Sequence, residues 1–279
     1  MRFRWQRLAS LALALGIVVT VPGCSYLRQI FSGIKLPKVT VTKVDPKLLD
    51  IATALLNFDL KIANPNPIGL KLAGIRYTLD AGGREVATGT TRKGVRLKPK
   101  GRSATKVDVK IPLLDVASSL VDLLGKGKLG YKGRFALAFD TPVGQIEVPI
   151  THNGTFPLPK KPPITVTSVQ VASASPSGIG LLFNVKVQNP NPFKMPLDVL
   201  SMGAKVNNRQ LATVRAPSGL SMNPGQPITI PLRVNASLSA IGLTAIDLAR
   251  HPSLNYSADM NLKSGPLQLP QKKAGRFNL

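Results

Sequence analysis

Few residues in this chain could do chemistry. It holds two histidines, His152 and His251, one cysteine, Cys24, and 13 carboxylates among 279 residues. Histidine titrates near neutral pH and is the commonest metal ligand. His152, however, adjoins the turn signature Asn153-Gly154, and His251 follows a helical pattern and precedes Pro252. A ring in that second setting serves a helix C-terminus by meeting its dipole and free carbonyls. Asp115 and Asp122 stand seven apart, on one face of a helix, which is the pattern of a solvated face rather than of an acid–base pair. No H-E-x-x-H, C-x-x-C, G-x-S-x-G or phosphate loop occurs. Gly82-Gly83 and Lys126-Gly127-Lys128 carry turn chemistry. The reading is a non-enzymatic chain with no catalytic residue, no metal ligand set and no cofactor.

Cys24 is the expected site of lipidation, with a free thiol as the other reading. Arg2, Arg4 and Arg7 form a basic start, residues 8–19 are an apolar run, and Val21-Pro22-Gly23-Cys24 follows. The run is shorter than the roughly 20 residues that span a bilayer, as in a secretion signal. The box resembles that of lipoprotein signal peptidase, from which Pro22 departs. As the only cysteine, Cys24 has no disulfide partner in the chain. Residues 1–23 are therefore expected to be a lipoprotein signal peptide, Cys24 the lipidated first residue, and residues 24–35 a tether. Ser25 in place of Asp, by resemblance to sorted lipoproteins, points to the outer membrane, facing the periplasm. Several acyl chains anchor firmly, since each buried CH₂ contributes about 0.8 kcal/mol.

The elements that follow are organised by a repeat. Asn64-Pro65-Asn66-Pro67 recurs as Asn189-Pro190-Asn191-Pro192, 125 residues later. Before the first copy, Leu56, Phe58, Leu60 and Ile62 alternate with Asn57, Asp59 and Lys61; before the second, Leu181, Phe183, Val185 and Val187 alternate with Asn184, Lys186 and Gln188. Period two with one apolar face predicts a half-buried strand. The same offset superposes Val39, Val41 and Val44 on Ile164, Val166 and Val169, Gly82-Gly83 on Asn207-Asn208, Pro99 on Pro224, and Tyr131 on Tyr256. It then slips by four, so that Gly154, Phe156 and Leu158 match Gly275, Phe277 and Leu279. A helix is predicted once per half, from Leu113, Val116, Ala117, Leu120 and Leu124, and from Leu238, Ile241, Ala245 and Leu248. A period this long implies two whole domains, residues 36–159 and 164–279, joined by the stiff linker Lys160-Lys161-Pro162-Pro163. Within the motif, prolines end strand pairing and asparagines bond back to nearby backbone. A structural role is expected, with contact to a client as the other reading.

Charge narrows the partners. The formal net charge is +24. Arg92, Lys93, Arg96, Lys98, Lys100, Arg102, Lys106 and Lys110 crowd one stretch against the single acid Asp108. Such a balance suits anionic lipid headgroups or an acidic wall polymer, with Arg92, Lys93, Arg96, Lys98, Lys100 and Arg102 as the expected contacts. Nucleic acid is excluded by the secretion signal and by the lack of interleaved aromatics that would stack on bases.

An alternating strand ending in N-P-N, then a hairpin, a proline turn, a further strand, a helix and a closing hairpin resemble the WHy domain of type 2 late-embryogenesis-abundant proteins. The resemblance covers residues 36–158 and 162–279. It implies a mainly β fold: two tandem immunoglobulin- or fibronectin type III-like β-sandwiches, each with one short helix, after the signal segment. It also implies a protective or binding role in desiccation or other stress, with client proteins as partners and no cofactor. The alternative is a structural or assembly module of the cell envelope that docks a protein partner or acidic polymer.

Overall fold

A computed structural model describes residues 34–116, 120–142, 144–206, 208–242, 244, 246, 250 and 253–278, the side chains of Lys93, Leu120 and Ile241 excepted. The fold is mainly β, built of antiparallel sheets. In the first half the strands are β1 (Lys38–Leu48), β2 (Thr53–Ala63), β3 (Leu70–Ala81), β4 (Arg84–Leu97), β5 (Arg102–Pro112), β6 (Lys128–Thr141) and β7 (Gly144–Pro157). They form a three-stranded sheet, β1-β2-β5, and a four-stranded sheet, β4-β3-β6-β7. The inner faces meet through aromatic edges. Phe58 on β2, fully buried, lies 5.8 Å from Tyr131 and 4.9 Å from Phe135 on β6.

The second half comprises β8 (Ile164–Ser175), β9 (Gly178–Gln188), β10 (Met195–Leu197), β11 (Val199–Val206), β12 (Arg209–Arg215), β13 (Leu220–Met222), β14 (Pro227–Ser237), β15 (Ser253–Ser264) and β16 (Leu267–Asn278). Its sheets run β14-β9-β8 and β12-β11-β15-β16, with the small pair β10-β13. Phe183 on β9 packs 5.6 Å from Tyr256 on β15, at the same register as the Phe58–Tyr131 contact.

Local irregularities explain several sequence spacings. Val39 and Val41 are two apart but Val44 is three further on, because β1 bulges between Val41 and Lys43. The Thr42 hydroxyl donates to the Asp59 carbonyl at 3.1 Å in that bulge. β8 bulges equivalently, between Val166 and Ser168, where Thr167 donates to the Asn184 carbonyl at 3.0 Å. An inserted residue keeps both flanking valines on the inner face. The slip of four has an equally simple origin: β6 and β7 are 14 residues each, β15 and β16 only 12. β3 carries a bulge between Leu72 and Gly74, and at the equivalent place the second half breaks into β10 and β11 around Asp198.

The helical stretches are described in short pieces. The first half has single turns at Leu113–Val116 and Leu120–Leu123; Ala117 lies outside the described residues. In the second half a first helical turn, Leu238–Ile241, is capped by the Ser237 side chain, which accepts from the Ala240 N–H at 3.2 Å, and Ile246 and Arg250 are helical again. It stops at Gly242, at φ 69°, whose N–H closes onto the Leu238 and Ser239 carbonyls. Glycine takes this left-handed conformation without a Cβ penalty and so ends this turn. Ala245 and Leu248, expected on the same helix, lie outside the described residues, as do Asn207, His251 and Leu279.

Prolines keep to the sheet margins. Within the four larger sheets they occur on β1 (Pro46), β5 (Pro112), β7 (Pro149, Pro157), β14 (Pro227, Pro231) and β16 (Pro270), every one an edge strand. The inner strands β2, β3, β6, β9, β11 and β15 have none, because an inner proline would forfeit a ladder hydrogen bond.

Candidate functional site

The N-P-N-P segments form corners at the ends of β2 and β9, and in each the asparagines turn inward. Asn64, Asn66, Asn189 and Asn191 are at most 2% exposed, whereas Pro65, Pro67 and Pro192 are exposed and Pro190 is half-buried. The Asn64 amide donates to the Ile68 carbonyl at 2.7 Å and the Lys98 carbonyl at 3.1 Å, and its oxygen accepts from the Asn66 N–H at 3.0 Å. The second corner repeats this: Asn189 donates to Phe193 at 2.6 Å and Met222 at 3.1 Å and accepts from the Asn191 N–H at 3.0 Å. Each first asparagine thus ties the strand end both to its own loop and to the strand approaching the proline turn. The amides that could have met a client are turned to the protein's own backbone, and proline rings face outward.

The second asparagines differ. Asn191 grips the inter-half segment by both backbone groups of Lys160: its oxygen accepts from the Lys160 N–H at 2.6 Å and its amide donates to the Lys160 carbonyl at 2.9 Å. That segment is held at further points. The Leu158 N–H donates to the Gly127 carbonyl at 2.9 Å, the Pro163 carbonyl accepts from the Gln188 N–H at 3.2 Å, and Leu158, Pro159 and Pro162 are buried. A cleft of about 490 Å³ opens beside it, lined by Pro46, Leu49, Leu158, Lys160, Pro190 and Pro192.

The proline turns are built on the same corners. Lys98 to Gly101 closes with the Gly101 N–H on the Lys98 carbonyl at 3.0 Å, and Asn223 to Gln226 closes likewise at 3.2 Å. The third residue must take a positive φ, which suits glycine. Gly225 meets that need at φ 71°, while Lys100 does so at φ 47°. Of the expected anion-binding residues, Arg96, Lys98, Lys100 and Arg102 are exposed around this first turn. Arg92 is exposed further along the edge strand β4, opposite Gly74. The side chain of Lys93 lies outside the described set, and so does Cys24.

The remaining polar groups do not converge on a reaction. A groove of about 520 Å³ on the outer face of β4-β3-β6-β7 is lined by Arg76, Thr88, Thr90, Arg134, Pro149 and Thr151. Its arginines are paired, Arg76 with Glu147 at 2.6 Å and Arg134 with Asp80 at 2.9 Å. His152 stands edge-on to Phe58 with ring centres 6.2 Å apart, as part of the aromatic cluster. Tyr131 and Tyr256 lie over Gly154 and Gly275 on the neighbouring strands, where any Cβ would fall within 3 Å of the ring. Burial of both phenols pushes their pKa values up from the usual tyrosine value.

Comparison with known proteins bears on the first half. Residues 59–154, from within β2 to β7, match the family model described as late embryogenesis abundant protein, of type 2. The match places this segment, residues 59–154, with the type 2 late-embryogenesis-abundant proteins. It is 26% identical over 136 residues to a desiccation protectant protein Lea14 homolog of Glycine max, covering 48% of this chain and 90% of that relative. Late embryogenesis abundant protein Lea14-A of Gossypium hirsutum is 26% identical, with 46% and 85% covered. Among solved structures, a solution structure of an Arabidopsis thaliana protein is 26% identical, covers 46% of this chain and 85% of that one, and has a TM-score of 0.40.

Proposed function

We propose that the chain as a whole is a type 2 late-embryogenesis-abundant protein, non-enzymatic, held by lipid at Cys24 in the cell envelope, and that it protects client proteins during water loss. The observation that carries the protective reading is the family match over residues 59–154, whose relatives bear desiccation in their names. The anchor rests on the lone cysteine behind a short apolar run, and Ser25 favours the outer membrane with the protein facing the periplasm. The proposal includes two modules, residues 36–159 and 164–279. It is supported by the strand orders β1-β2-β5 with β4-β3-β6-β7 and β8-β9-β14 with β12-β11-β15-β16, which correspond strand for strand. The test dries or heats a labile enzyme with the protein and, separately, with an equal mass of albumin. Protection beyond albumin supports the reading and equal protection refutes it. Intact-mass analysis of the membrane-bound form checks the anchor, since a plain thiol at Cys24 would end that part of the proposal.

The Asn191–Lys160 grip supports a second reading, in which the chain is a stiff envelope module docking a protein partner. Crosslinking in intact envelopes discriminates the two. One stoichiometric partner favours docking, and a broad set of captured proteins favours the protective role.

A further inference from the structure

The strand ladders gather basic side chains that the sequence scatters. In the three-stranded sheet, Lys38 pairs with Ala63 and Ala63 with Arg102, and Lys61 lies two rows in. In the four-stranded sheet, Lys71 pairs with Arg96 and Leu70 with Leu97. The Lys98 to Gly101 turn joins the two sheets at this end, and Asn64 fastens it: its N–H donates to the Gly101 carbonyl at 2.9 Å and its side chain to the Lys98 carbonyl. Lys38, Lys61, Lys71, Arg96, Lys98, Lys100 and Arg102 are therefore neighbours around one pole, and all seven are exposed. The acid nearest in the ladders is Asp140, opposite Lys71; Asp59 pairs instead with Lys106, at 3.5 Å and further up the sheet. At the repeat offset Lys61 corresponds to Lys186, but Lys38, Lys71, Arg96, Lys98, Lys100 and Arg102 correspond to Pro163, Pro196, Ser221, Asn223, Gly225 and Pro227, so the cluster is peculiar to the first half.

Chain direction gives this pole an orientation. β1 begins here, at Lys38, 14 residues after Cys24. Fully extended, a segment of that length reaches at most about 50 Å. The route to the second half leaves from the opposite end, because Pro157, at the close of β7, pairs with Lys128 at the start of β6, near the Ala81 end of β3.

We infer that the Asn64 pole of the first half is a docking surface for the anionic phospholipid headgroups of a bilayer. It rests on the tethered reading for its orientation, but the charge cluster stands without it. Each cation close to an anionic surface strengthens binding by roughly fivefold, and the attraction fades within a Debye length. A lipid anchor and such a pole would act together, the one holding the chain at the membrane and the other setting which end faces it.

The test is co-sedimentation of the full-length Cys24→Ser chain with vesicles of neutral phosphatidylcholine alone or with 30% phosphatidylglycerol, a fraction of about one in three chosen to exceed typical surface charge. Neutral vesicles set the baseline from the apolar N-terminal run. The expected result is binding to anionic vesicles above that baseline, lost by about 0.5 M salt. It should fall by about tenfold or more when Lys61, Lys98, Lys100 and Arg102 become Gln. Removing the same number of charges from the second half, Lys186, Lys194, Arg215 and Arg233 to Gln, should change it by about twofold at most. Equal losses from the two quadruple variants would overturn the inference, because total charge would then account for binding. So would a pole variant that loses affinity for soluble polyacrylate yet keeps its affinity for vesicles, which would assign the pole to an acidic polymer. Because Cys24 is replaced throughout, failure here leaves the anchoring reading to its own mass measurement.

Discussion

Replacing Asn189 by Ala tests whether the corner asparagines hold the fold together. The side chain is fully buried and makes three hydrogen bonds: to the Phe193 carbonyl at 2.6 Å, to the Met222 carbonyl at 3.1 Å, and from the Asn191 N–H at 3.0 Å. Truncation deprives all three groups of that partner. A buried polar group left unsatisfied costs roughly 1–3 kcal/mol, and carbonyls tolerate the loss better than an N–H. A total of about 3–5 kcal/mol is expected, below the simple sum, because water can enter the space left by the amide. With a urea dependence of about 2 kcal/mol per molar for a unit of this size, the midpoint should drop by about 2 M. Far-ultraviolet circular dichroism is the suitable probe, since the sole tryptophan, Trp5, precedes every strand. Lys194→Ala, an exposed change just beyond the same corner, should stay within about 0.5 kcal/mol. Asn189→Asp adds a pH signature. A carboxylate there would face two carbonyl oxygens, so its folded pKa should rise above the unfolded value near 3.9. The Asp variant should then be most stable below about pH 3.9 and lose stability as pH rises through the folded pKa. A loss under 1 kcal/mol for Asn189→Ala, or one equal to that of Lys194→Ala, would refute the argument.

Phe58→Ala should cost about 3–5 kcal/mol, since the ring is fully buried between the sheets, while exposed Lys61→Ala stays within about 0.5 kcal/mol; chemical denaturation of both variants checks the register. Lys100→Gly should raise stability by about 0.5–1 kcal/mol, because a non-glycine residue at φ 47° is strained in a turn that calls for glycine, and a melting curve showing a loss would contradict this. Tyr131 and Tyr256 have pKa values raised in the folded chain, so both favour the protonated state; stability should be intact below pH 10 and decline as pH climbs above it. Tyr131→Phe and Tyr256→Phe should shallow that alkaline decline in urea titrations run across pH 9 to 12. Asn191→Ala should leave the sheets intact but expose the Lys160 amide to faster hydrogen exchange, whereas unchanged exchange would show that the buried prolines alone hold this segment.

The parts of the fold that obey local rules were legible before any coordinates. Alternation at Leu56 to Ile62 and at Leu181 to Val187 corresponds to complete burial on one face, because period two leaves a strand only one way to hide its apolar side. What escaped detection depends on partners distant in sequence. The 39-41-44 spacing signals a bulge only once β2 is known to lie opposite it. The apolar pattern through Leu238, Ile241, Ala245 and Leu248 does not announce the interruption at Gly242, whose left-handed conformation ends the first turn before Ile246 and Arg250 are helical again. The basic stretch from Arg92 to Lys110 reads as one feature in sequence, yet it spans two strands of different sheets, and Lys38, Lys61 and Lys71 join its end from elsewhere. The Asn191–Lys160 contact links residues 31 apart, which a Pro-rich segment does not announce. The asparagines' inward turn was foreshadowed only as local bonding; their complete burial comes from the opposing strand at Lys98 and Met222.

The placement of proline has a consequence for crowded conditions. As a solution dries, protein concentration climbs, and the dangerous encounter for a β-rich chain is the addition of one molecule's open margin to another's, the first step toward fibrils. Pro149 and Pro157 interrupt the free margin of β7, Pro227 and Pro231 that of β14, and Pro270 that of β16, each withholding a donor a stacking neighbour would require. The proline-free margins are guarded differently. β4 carries Arg84, Arg92 and Arg96, β8 bulges twice, and β12 is only 7 residues long. Among the described residues, every open border of the four large sheets is thus blunted by ring, charge, kink or brevity, which works against edge-to-edge pairing of its own copies.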